Sequence, residues 1–175
     1  MFRTWKFIFL SMMSVFLLVG CTASLEDASI AGVKAAKEKF LSEPKNRTAE
    51  IEGLELYKPT GFKVNDKSDA QNIVFNRNNE TFILFVNPNE SDDSRLFYEL
   101  LVDDISKEII QMEVIDENGV FGFVAVVKND ADKEKVELIA SIGGVKMTTI
   151  AQKSKIEDNL VRMVEVVRSI KQRSE

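Results

Sequence analysis

Three apolar runs constrain this chain most: "VFGFVAVVK" (Val120–Lys128), "VELIASI" (Val136–Ile142) and "VKMTTI" (Val145–Ile150). They are rich in β-branched residues, which favour strands. Only "NDADKEK" (Asn129–Lys135) and Gly143-Gly144 separate them. Strands joined by such short links pair antiparallel, because a parallel pair needs a long crossover. Gly143-Gly144 reads as a two-residue hairpin or as a bulge.

The same period appears earlier. Leu54 and Leu56 lead into "YKPTGF", where Pro59 sets a turn and Gly61 releases it. Phe62 and Val64 alternate with polar residues. Ile73 to Phe75 make a strand, and "TFILFV" (Thr81–Val86) reads as a fully buried one, with Asn78-Asn79 as the hairpin between them. Lys45 to Glu50 reads as a polar linker.

Helical spacing appears in three places. Asp27 or Ser29 can cap a first helix carrying Ile30, Val33, Phe40 and Leu41, ending before Pro44. Ser91 or Asp92 can cap a second, in which Phe97, Leu100 or Leu101, Ile105, Ile109 and Met112 recur through Lys107. "DENG" (Asp116–Gly119) then turns the chain. The last helix carries Ile156, Leu160, Met163, Val167 and Ile170. The expected fold class is α+β: a mainly antiparallel sheet of about six or seven strands covered by helices.

The N-terminus is different in kind. Arg3 and Lys6 precede a charge-free run from Phe7 to Gly20, too short to span a bilayer and suited to a signal-peptide core. It ends in Leu18-Val19-Gly20-Cys21, which resembles the lipobox of bacterial lipoproteins. That resemblance implies cleavage before Cys21 and a diacylglyceryl group on its sulfur. In many such proteins an acyl chain such as palmitate is then added to the new amino group. A thiolate is the nucleophile that accepts the lipid, and two chains suffice for stable anchoring. The expected division is residues 1–20 as leader, 21–27 as lipidated tether and 28–175 as a single domain. The expected location is the extracytoplasmic face of the cell membrane, with the membrane itself a partner through Cys21 and an envelope protein as a further partner.

The order of elements resembles the PsbP-like group of α/β/α sandwich domains, which includes secreted and lipid-anchored bacterial proteins. The carrying features are Pro59-x-Gly61-Phe62, the paired strands after it, the middle helix and a terminal helix ending near Ser169-Ile170. The resemblance implies a fold and no catalytic residues.

Composition narrows the chemistry. The chain has no histidine and one cysteine. The commonest general base and metal ligand is missing, and Ser-His-Asp and Cys-His arrangements are excluded. Losing Arg3 and Lys6 with the leader moves the formal net charge from −5 to −7. Such an acidic body does not suit nucleic acid. Ser42-x-x-Lys45 matches a hydrolase pattern but sits at a helix end with Pro44 inside it, and reads as a loop. Asp130, Asp132 and Glu134, and Asp116 with Asn118-Gly119, fall short of a calcium loop: Val114 stands at the first ligand position of one, and the other lacks the turning glycine. Phe62, Phe75, Phe82, Phe85, Phe121 and Phe123 read as core. Tyr57 and Tyr98 are candidate binding-face residues, and Lys146, between Val145 and Met147, is the lysine in the most apolar company. No catalytic, cofactor-binding or metal-ligating residue is assigned; the one site residue is Cys21, for lipidation. The expected function is a non-catalytic binding or assembly module. A small carboxylate-dependent hydrolase and an apolar-ligand carrier remain as alternatives.

Overall fold

The computed structural model describes residues 24–170; the leader, the lipobox and Cys21 lie outside the described residues. The strand runs pair into one seven-stranded antiparallel sheet, in the order β3 (Lys63–Val64), β4 (Asn72–Arg77), β5 (Glu80–Val86), β9 (Val145–Gln152), β8 (Lys135–Ile142), β7 (Val120–Lys128), β6 (Ile109–Glu117). β9, next to last among the elements in sequence, is central in space. It pairs Leu84 with Met147 on one side and Ala140 with Met147 on the other. A separate hairpin, β1 (Ala49–Ile51) and β2 (Leu54–Leu56), occupies part of the expected linker.

One face of the sheet is covered by α1 (Leu25–Leu41) and α3 (Ile156–Ser169). Val33, Ala36 and Phe40 of α1 and Leu160, Met163 and Val167 of α3 pack with Phe75, Phe82, Leu84, Val124, Val126, Leu138 and Met147 in the main core. Phe62 packs edge-on against Phe75 and tilted against Phe82, with ring centroids 5.7 and 4.8 Å apart. The terminal helix carries the expected stripe, with Ile156, Leu160, Met163 and Val167 all buried. Approach is close: a Cβ on Gly122 of β7 would lie 2.6 Å from the Ser141 carbonyl oxygen and 2.5 Å from the Phe40 ring. Only glycine lets α1 and β8 sit this near β7.

Three turn expectations hold. Asn78 and Asn79, and Asn118 and Gly119, all have positive φ (47°, 65°, 56° and 74°), the conformation that two-residue hairpins require. Gly143-Gly144 is a two-residue hairpin, since Ile142 pairs directly with Val145.

Two helix expectations are corrected. α1 begins before Asp27 and Ser29: Ser24 is its N-cap, accepting from the Asp27 amide at 3.0 Å, while the Asp27 carboxylate accepts from the Ser24 amide. This reciprocal box satisfies two otherwise orphaned donors. The middle helix, α2 (Leu96–Val102), has only seven residues, and neither Ser91 nor Asp92 caps it. Asp104 folds back to accept from the Ser106 amide and hydroxyl, and the chain leaves the helix there. Ile109 and Met112 belong to β6, where a long ladder with β7 outweighs their local helical spacing.

Leu160→Ala should lower unfolding free energy by about 2–5 kcal/mol, because the site is fully enclosed. Denaturant unfolding measures it; a loss below about half a kcal/mol would contradict the packing of α3 on the sheet.

Candidate functional site

The second face of the sheet is covered unevenly. α2 lies over the β6–β7–β8 half, where Phe97 and Leu101 pack on Phe121, Phe123, Ala125, Val127 and Ile139. That half of β7 is buried on both faces, as its unbroken apolar run implies. A seven-residue helix is about 10 Å long; on the β4–β5–β9 half its Phe97 meets Phe85 and Lys146, and Ile83 and Ile150 beyond them stay exposed. There the expectation that Thr81–Val86 is fully buried fails: Phe82, Leu84 and Val86 face the main core, while Thr81 and Ile83 are exposed.

A groove of about 680 Å3 lies on this uncovered ground. Ile83, Thr148 and Ile150 contribute to its lining, and Asn78, Asn79, Gln152 and Lys155 stand toward its outer end. Ile83 and Ile150 remain 44% and 43% exposed, unusual for isoleucines in the middle of a sheet. Register explains the floor: Ile83 pairs with Thr148, and Ile150 pairs with Glu137. Two residues inward on each strand, on the same side, come Phe85 and Lys146, themselves a cross-strand pair. Phe97 of α2 overhangs them, in edge contact with Phe85 at 5.7 Å, and the Lys146 ammonium lies 4.7 Å from the Phe97 ring centre. Beyond the groove's lining, the same side of β5 and β9 thus carries an amine among aromatics.

Charges along the groove are mostly engaged. Lys107, from the loop after α2, is hydrogen-bonded to Glu137. Lys135 pairs with Asp132 at 2.9 Å, and Asn159 donates to Glu80 at 3.1 Å. Lys146 has no ion-pair partner among the described residues. Burial pushes its amine below the usual lysine range, Glu137 pulls the other way, and the neighbouring Lys107 charge adds to the lowering.

The β4–β5 hairpin that ends the groove is locked to α3. Arg77 reaches Asp158 at 2.7 Å and Asn159 at 3.3 Å, and Asn159 is fully buried. Burial works to raise the Asp158 carboxyl, but hydrogen bonds from Arg162 and Arg77 outweigh it and hold the carboxyl below its ordinary value. Stability from this contact is complete above the ordinary aspartate range and is lost as pH falls through the lowered value.

Other candidates disperse. Ser42 caps the end of α1, its hydroxyl donating to the Lys39 carbonyl, and Lys45 lies 3.8 Å from Glu165. Ser42 and Lys45 are thus engaged separately. No three metal-ligating side chains come together among the described residues. Tyr98 packs edge-on against Phe121 and Phe123. Phe62, Phe75, Phe82, Phe121 and Phe123 are core, and Phe85 is half-buried against Phe97. The groove itself was not foreseen; the mixed face of "VKMTTI", Lys146, Thr148 and Ile150 on the side of Ile83, was the signal available.

No family model matches the chain, and no curated protein matches it. Among solved structures it is similar to the solution structure of cyanobacterial PsbP (CyanoP) from Synechocystis sp. PCC 6803, at 15% identity and a TM-score of 0.42, covering 76% of this chain and 95% of that one.

Asn159→Ala should cost about 1–3 kcal/mol, because it strips partners from the hairpin and leaves polar groups unmatched at a buried site. Amide exchange should rise at Asn78–Glu80 in the same variant. Unchanged exchange there would show that α3 does not hold the end of the groove.

Proposed function

We propose that this protein is a lipid-anchored extracytoplasmic binding and assembly module, tethered through Cys21, that presents the open half of its sheet to a protein partner of the envelope. The observation that carries this reading is the uneven cover of the second face. Of nine exposed large hydrophobic residues among those described, six lie on that face or on the helix and loop above it: Ile83, Ile150, Val114, Leu100, Val102 and Ile105. Exposed apolar ground gathered on one side is a mark of an interaction surface.

Binding is favoured over carboxylate hydrolysis by the engagement of the two acids along the groove: Glu80 accepts from Asn159 and Glu137 from Lys107. The groove is also open and mixed in lining, which suits a surface contact better than an enclosed apolar ligand.

α1 runs from the Ile156 end of the sheet, which Gly32 meets, toward Gly122, which Phe40 meets, and Cys21 precedes its Ser24 cap by three residues in the sequence.

Cys21→Ala should abolish incorporation of a fatty-acid analogue in cells, because no other thiol exists; continued labelling would sink the anchor. A photo-crosslinking residue at Ile83 should give a discrete protein adduct in intact cells, and one at the exposed Lys34 of α1 should not. Equal adduct patterns at the two positions would remove the open face as the binding surface.

A further inference from the structure

We propose that the Lys146 amine, two residues along β9 from Thr148 of the groove floor, is a capture site for a carbonyl-bearing ligand, which it holds as an imine. The proposal rests on the reading of the open face as a binding surface and assigns that surface one reactive group. Four features place Lys146 apart from the other lysines. It is partly buried on β9, with Phe85 beside it and Phe97 above it. The carboxylate that would otherwise pin it, Glu137, is taken by Lys107. Lys107 also sets a second positive charge nearby, and a neighbouring cation disfavours the ammonium. It stands on the same side of β9 as Thr148 and Ile150 of the groove floor, two residues beyond Thr148.

Two effects compete at the amine. The Phe97 face favours the charged form, whereas burial disfavours it and outweighs the neighbouring charges Glu137 and Lys107. The charged groups acting on Lys146 are Glu137 from β8 and Lys107 from the loop after α2; its contacts on β5 and α2 are the uncharged Phe85 and Phe97. In the capture step the neutral amine attacks the carbonyl carbon. A carbon–nitrogen bond forms, the carbonyl oxygen leaves as water, and no electrons are transferred. Hydrolysis reverses the step, so the ligand is held and released without consumption of the protein.

The test uses the full-length chain in detergent, with 4-formylbenzoate as probe and cyanoborohydride to trap the imine. Peptide mapping then reads each lysine across a pH series. Lys146 should label several-fold faster than exposed Lys34 and Lys63 at neutral pH, with its profile inflecting at lower pH than theirs. Lys107→Ala removes the like charge and frees Glu137, so the Lys146 inflection should move upward. Lys146→Met should remove the fast site while the remaining lysines label as before. Labelling of Lys146 no faster than Lys34, or an inflection unmoved by Lys107→Ala, overturns the capture role. Loss of the Ile83 adduct in cells with fast Lys146 labelling retained would instead strike the partner-binding reading alone.

Discussion

A sheet has two faces, and this one receives helices of very different reach. α1 and α3, with 17 and 14 residues, span the first face; α2, with seven, roofs part of the second. Everything distinctive in the molecule follows from that imbalance. Where two helices lie on the sheet, β-branched and aromatic side chains are sealed and carry the stability. Where α2 ends, the outward residues of β5 and β9 stay in contact with water. The cost of leaving Ile83 and Ile150 there is small beside the core that α1 and α3 bury, and the chain keeps an open, partly apolar groove on its central strands.

The edges of the groove are set by polar contacts. Asn159 is buried in α3 and reaches across to Glu80, and Arg77 reaches back to Asp158 and Asn159. These bonds tie a hairpin at the end of the sheet to a helix on its far face, so the position of Asn78 and Asn79 is inherited from the main core. On the other flank, the Lys107–Glu137 contact fastens the loop after α2 to β8. The groove thus lies between two fastened loops rather than between mobile ones.

Much of the fold was legible in the sequence because its signals are local. Asn78-Asn79 and Gly143-Gly144 announce hairpins by the conformations they tolerate, and the stripe Ile156-Leu160-Met163-Val167 announces a helix by its period. The misreadings have a common physical cause. Ile109 and Met112 keep a helical spacing with Phe97 and Ile105, yet pairing with β7 decides their conformation, and that ladder is non-local. "TFILFV" is apolar throughout, so nothing inside it tells whether its second face is covered; that depends on the length of a helix ten residues later. Lys146 stood out as a lysine between apolar neighbours, but its meeting with Phe97, Glu137 and Lys107 comes from three other segments of the chain. Cys21 was read from its neighbours alone and lies outside the described residues.

The central claim is that the uncovered half of the second face is occupied when the protein stands at the membrane. Hydroxyl-radical footprinting tests it directly by comparing oxidation of Ile83 and Ile150 in the purified full-length chain and in intact cells. The account predicts strong oxidation of both in the purified chain, where they are about half exposed, and marked protection in cells. Ile30, exposed on α1, should react alike in both. Equal oxidation of Ile83 and Ile150 in the two settings would contradict the account.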